Sequence, residues 1–106
     1  MTSVGIDLEQ PTPKLLKIAS RIHGKPELQD AGDDLHKHCI YWCAKEVLVK
    51  VYGKKDLIFS ENLKISPFLM QKKGEIAGRI VVHDMTMVVP MYYEIYPDFI
   101  VVLNKP

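Results

Sequence analysis

The sequence predicts an α+β fold in which helices pack on one face of an antiparallel sheet. Two stretches in the first half repeat apolar residues every three or four positions, as amphipathic helices do. The last third carries three runs rich in β-branched and aromatic residues, divided by turn-forming residues. A short alternating segment precedes both. The order is therefore strand, helices, then a meander, which segregates helices from sheet. The 106 residues fit one domain, residues 1–106.

Residues 3–9 read as the opening strand, with Asp7 and Glu9 alternating with Ile6 and Leu8. Pro11 and Pro13 end it, and Thr12 with Pro13 offers an N-cap and first helical position. Residues 13–23 form the first helix, with Leu15, Ile18, Ala19 and Ile22 as its apolar stripe. His23-Gly24-Lys25-Pro26 stops it, and the polar stretch 27–33 has room for a helical turn. The second helix spans about residues 34–52, capped by Asp33 or Asp34 and closed by Gly53, with a stripe of Ile40, Cys43, Ala44, Val47 and Val51. Leu63-Lys64-Ile65 alternates as a strand, and residues 76–83, 85–96 and 99–103 form the meander. Lys72-Lys73-Gly74 and Tyr96-Pro97-Asp98 supply its turns.

A formal net charge of +1 gives no global field, so nucleic-acid binding through bulk charge is not expected. No apolar run is long enough to span a bilayer, so no membrane role is expected. The first residues show no signal peptide, and two cysteines four positions apart are too few for a secreted disulfide framework. A reducing cytoplasm is the expected location.

Two features carry candidate chemistry. Asp7 and Glu9 project from one face of a strand, roughly 6.5–7 Å apart along the chain, and two such carboxylates can share a hard cation. The same spacing also suits an edge strand with a solvated outer face. Glu46 and Lys50 are an i,i+4 pair about 40° apart around the helix axis, on the flank of the apolar stripe. Lys45 points to the far side. By itself such a pair reads better as a helix-surface ion pair. His36, His38, Cys39 and Cys43 could gather on one helix face as zinc ligands, but structural zinc usually draws on two chain segments, and a half-buried helix face is the better reading. Met85, Met87 and Met91 beside Tyr92-Tyr93 suit either a partner groove or the core.

Taken together, Gly5-Ile6-Asp7-Leu8-Glu9 followed by Trp42-Cys43-Ala44-Lys45-Glu46-Val47-Leu48-Val49-Lys50 resembles the paired signature of the 4'-phosphopantetheinyl transferases. Val51-Tyr52-Gly53 and Leu63-Lys64-Ile65-Ser66-Pro67-Phe68 continue the similarity. The Asp-x-Glu form with Trp before Lys-Glu is similar to the C-terminal half of the larger, two-half Sfp-type enzymes. The length is that of the small holo-[acyl-carrier-protein] synthases, which assemble as trimers.

This resemblance implies transfer of 4'-phosphopantetheine from coenzyme A to a serine of an apo acyl or peptidyl carrier protein, as in fatty acid biosynthesis, with Mg²⁺ as the cofactor. It implies Asp7, Glu9 and Glu46 as metal ligands, Glu46 and Lys50 as catalytic residues, and Lys45 and Lys50 as coenzyme-binding residues. It also gives Lys14, Lys17 and Arg21, spaced along one side of the first helix, a docking role toward an acidic carrier protein. A homo-oligomer, dimer or trimer, would supply what a lone half lacks. The competing expectation is a non-catalytic half-domain that binds a carrier protein or another protein.

Overall fold

The structure, a computed structural model, describes residues 4–54 and 56–105; Ser3, at the start of the expected first strand, lies outside them. In chain order the elements are β1 (Ile6–Glu9), α1 (Lys14–Ile22), α2 (Lys25–Ala31), α3 (Leu35–Tyr52), α4 (Phe59–Asn62), β2 (Leu63–Ile65), β3 (Lys73–Val82), β4 (Met85–Ile95) and β5 (Ile100–Asn104). One antiparallel sheet runs β1-β5-β4-β3-β2, so the first strand becomes an edge beside the last. The fold is α+β, as the sequence predicts.

The central element is α3. Asp34 caps it by accepting the Lys37 N–H at 3.1 Å, and Gly53 ends it at φ 77°. It lies across the sheet and touches every strand. The stripe of Ile40, Cys43, Ala44 and Val47 is buried as the periodicity predicts. Tyr41 and Lys45 are buried as well, on the side where Lys45 meets α1, α2 and α4, and Leu48 packs against Gly78 of β3. The core is thus formed by α3 with the inner sheet residues Leu63, Ile76, Ile80, Met91, Ile100 and Val102.

Several details differ from the sequence reading. Pro13, not Thr12, occupies the cap position of α1, and no side chain caps it, because Pro13 is already helical at φ −58°. The stretch expected to hold one turn contains α2, which starts earlier because the Glu27 carboxylate accepts the Gly24 N–H at 2.9 Å. The short α4 has no counterpart in the periodicity. Lys73 and Gly74 begin β3, paired with Glu94 and Tyr93, rather than turning. Met91 is core, whereas Met85 and Met87 are exposed.

The layer between α1, α2 and α3 encloses a polar cluster. Lys45 and Glu27 pair at 2.6 Å with their side chains almost wholly buried. His38 donates its Nε2–H to the Gly32 carbonyl at 2.7 Å, since a carbonyl can only accept. The His23 imidazole is 3 % exposed, and neither of its nitrogens has a hydrogen-bond partner among the described residues. Burial holds the His23 pKa below its ordinary 6.5, with Lys45 and His38 adding repulsion; Glu27, whose carboxylate is 3.7 Å away, opposes this without prevailing. Tyr41 packs its ring against His23 and contributes no charge in this range.

A folded pKa below the unfolded one means that the neutral form stabilises the fold above pH 6.5, and that this contribution is lost as pH falls and the unfolded chain binds the proton first. Urea titrations between pH 7 and pH 5 should show the unmodified chain losing stability relative to His23→Phe, by up to about 1.4 kcal/mol per pH unit below 6.5. Parallel curves for the two proteins would show that His23 is not buried uncharged.

Candidate active site

The site lies where β1 crosses the C-terminal half of α3. Gly5 makes the close approach possible: a Cβ there would stand 3.0 Å from the Val47 carbonyl oxygen and 3.2 Å from Lys50 Cβ. Asn104 fixes the strand from its other side, accepting the Gly5 N–H on Oδ1 at 2.7 Å and returning its own N–H to the Gly5 carbonyl at 3.2 Å. With β1 seated in this way, the alternation of the strand turns Asp7 and Glu9 toward the helix. Ile6 and Leu8 face outward, 56 % and 57 % exposed. The carboxylates therefore do not form a solvated outer face.

Asp7 accepts from α3 on both oxygens, from the Cys43 thiol at 3.3 Å and from Lys50 Nζ at 3.4 Å. Lys50 also donates to the Ile6 carbonyl at 2.6 Å. Burial and then the Asp7 charge raise the pKa of Glu9. Glu46 is raised by burial and by Asp7, with Lys50 pulling the other way. Cys43, beside Asp7, is pushed well above the ordinary thiol range by burial, then by Asp7, so it stays a thiol and a weak donor.

Asp7, Glu9, Glu46 and Lys50 are thus one electrostatic unit. Among the described residues, no group of three or more His, Cys, Asp or Glu side chains already converges as a metal cage. The donor chemistry nonetheless fits a hard cation: three carboxylates repel one another with one lysine to offset them.

Lys45 does not join this unit. It is 0 % exposed, on the far side of α3, and its ammonium is committed to Glu27, whereas the resemblance assigns it to the coenzyme. Lys14, Lys17 and Arg21 are all exposed on α1. The four zinc candidates do not converge: His36 is exposed, His38 bonds Gly32, Cys39 lies in the core and Cys43 bonds Asp7. A cleft of about 460 Å³ opens beside Glu9, between Leu15 and Ile18 of α1 and Trp42 of α3, with Lys14 at its rim. The supporting roles of Cys43, Trp42 and Gly5 escape a reading that asks only for charged residues.

A family model described as the 4'-phosphopantetheinyl transferase superfamily matches residues 3–85. The chain belongs to that superfamily. No curated protein gives a significant match. The matched stretch contains β1, the four helices, β2 and β3, hence every residue of the electrostatic unit. The 4'-phosphopantetheinyl transferase family uses coenzyme A as substrate and acts on carrier proteins. No helix among the described residues is long and apolar enough to cross a membrane.

Gly5→Ala is expected to push β1 off α3 and to cost about 1–3 kcal/mol, the range for overpacking against backbone that cannot yield. Urea denaturation measures it; an unchanged midpoint would mean that β1 does not depend on this contact.

Proposed function

We propose that the chain transfers 4'-phosphopantetheine from coenzyme A to a serine hydroxyl of an apo carrier protein and releases 3',5'-ADP. The observation that carries this reading is the meeting of Asp7, Glu9 and Glu46 with Lys50 at the β1–α3 crossing, in a chain of this superfamily. In the reaction the serine oxygen bonds to the β-phosphorus, and the bond from that phosphorus to the bridging oxygen breaks. The hydroxyl proton leaves to a base, and negative charge gathers on the departing 3',5'-ADP.

Each residue has work in that step. Asp7, Glu9 and Glu46 would hold Mg²⁺, which when bound supplies charge neutralisation at the pyrophosphate. Lys50, half exposed one turn beyond Glu46, offers a phosphate oxygen a cation already held near the site. Glu46 accepts the serine proton, and its raised pKa brings it closer to the range where a carboxylate works as a base at neutral pH.

Two partners follow from the same reading. The basic stripe Lys14, Lys17 and Arg21 suits a carrier protein that is acidic around its target serine. A second or third copy of the chain suits the outer sheet face, where Ile6, Leu8, Val88 and Tyr92 are exposed together. Two buried free thiols suit a reducing cytoplasm.

The experiment is a transfer assay with coenzyme A, Mg²⁺ and an apo carrier protein, read by intact mass, on protein whose assembly is measured by light scattering. The expected results are a phosphopantetheinylated carrier, a mass of two or three chains, and loss of transfer in Asp7→Ala and Glu46→Ala with the fold retained. A well-folded chain that binds the carrier protein without modifying it would instead be the non-catalytic module.

Lys14→Glu with Arg21→Glu is expected to raise the KM for the carrier protein and to flatten its salt dependence, since exposed charges steer encounters within a Debye length of about 8 Å. The KM for coenzyme A should barely move, because the acidic unit belongs to β1 and α3. An unchanged carrier KM at low salt would make the stripe a solvated surface only.

A further inference from the structure

Lys45 follows Ala44 and precedes Glu46, yet it faces away from the acidic unit into the interior. Its ammonium donates to the Ile22 carbonyl at 2.6 Å, to Glu27 Oε1 at 2.6 Å and to the Phe59 carbonyl at 3.3 Å. Ile22 ends α1, Glu27 lies in the first turn of α2, and Phe59 opens α4. Glu27 extends the junction: Oε1 also accepts the Gly24 N–H, and Oε2 accepts the Ile65 N–H of β2 at 2.7 Å. One ammonium therefore fastens three helix termini to α3 and, through Glu27, to an edge strand.

The pair is ionised. Burial opposes the charge on Glu27, but His23, Lys45 and the Ile65 N–H outweigh it and hold the carboxyl down at about 2. Burial also lowers the Lys45 pKa, with Glu27 countering. No group on the acidic side of α3 enters this balance.

We propose that Lys45 is a positioning residue for carrier-protein recognition, resting on the transfer reading above. It fixes the end of α1 against α3 and so sets where Lys14, Lys17 and Arg21 stand relative to Glu46. Little else holds α1. It has nine residues, of which only Leu15 and Ala19 are fully buried. Its contacts are chiefly with α3 and α4, the two helices that Lys45 joins to it. The helix is about 13 Å long, so a tilt of about 10° at Ile22 displaces Lys14 by about 2 Å. The crossing of β1 over α3 has separate anchors in Gly5, Asn104 and Lys50, so the coenzyme side does not depend on Lys45.

The test compares three proteins: the unmodified chain, Lys45→Met, and Lys45→Met with Glu27→Gln. The double variant leaves no unpaired buried charge, which keeps the fold testable if Lys45→Met alone unfolds. Calorimetry measures affinity for coenzyme A with Mg²⁺ and for an apo carrier protein whose target serine is replaced by alanine. Hydrogen exchange follows the α1 amides. In the double variant, coenzyme A affinity should stay within about twofold. Carrier affinity should fall by about tenfold or more, the scale set by small displacements of binding groups. The α1 amides should exchange faster while those of α3 do not.

Weakened coenzyme A binding with carrier binding intact would overturn the proposal, as would a double variant with full carrier affinity and unchanged exchange. If the unmodified chain binds both ligands but transfers nothing, the transfer reading fails while the role of Lys45 is still decided by the affinities. If the unmodified chain does not bind the carrier protein, both fail.

Discussion

The structure depends on the burial of α3 over most of its circumference. An 18-residue helix between a sheet and a second helical layer keeps only a narrow margin on which to place its polar residues. Each must find a partner inside or lie at the margin of the layers. Lys37 reaches Asp30 at 2.8 Å, His38 bonds Gly32, and Lys45 bonds Glu27 and two carbonyls. Glu46 and Lys50 lie where β1 only partly covers the helix. Lys45 and Glu46 are consecutive and therefore about 100° apart around the axis, which separates an internal fastening from an open acidic unit within one step of the chain.

That acidic unit is held in a state of mild conflict. Desolvation and the Asp7 charge both disfavour ionised Glu9 and Glu46, and Lys50 compensates only in part. A fold that needed only stability would gain by replacing these carboxylates, since burying like charges costs energy that nothing in the packing returns. Repulsion of this kind is what a nearby cation would offset. Asp7 is held by one neutral partner, the Cys43 thiol, and by the one cation of the unit, Lys50.

The parts of this architecture legible in the sequence are those with strong local chemistry. Asp34 and Gly53 bracket α3 because capping and a left-handed terminus demand such residues, and the two-residue spacing of Asp7 and Glu9 places them on one face in any strand. The illegible parts depend on tertiary context. Lysine is rarely buried, so Lys45 at the centre of the molecule contradicts the prior that sequence reading relies on. Glu27 and His23 look like loop residues for the same reason. The helix α2 is polar along most of its length, and α4 is a single turn fastened by its neighbours, so neither has a period to detect. Which face of β1 turns inward was also undetermined by alternation, because Ile6 and Leu8 are the usual inward residues and here point out.

The inverted strand has a consequence for the whole sheet. Hydrophobic burial would favour turning Ile6 and Leu8 toward α3, at roughly 25 cal/mol per Å² of apolar surface removed from water. A shift of one residue in register would do this, but it would also carry Asp7 and Glu9 away from Lys50 and Glu46. The register is instead fixed by pairing Ile6 with Leu103 and by the double hydrogen bond of Gly5 with Asn104. The outward aliphatic pair then joins Tyr92 and Val88 of β4 on an outer face left exposed among the described residues. The acidic unit and the uncovered apolar face are therefore two results of one choice of register. A cover on that face, such as another copy of the chain, would make the orientation favourable on both sides of β1 at once, coupling assembly to the geometry of the carboxylates.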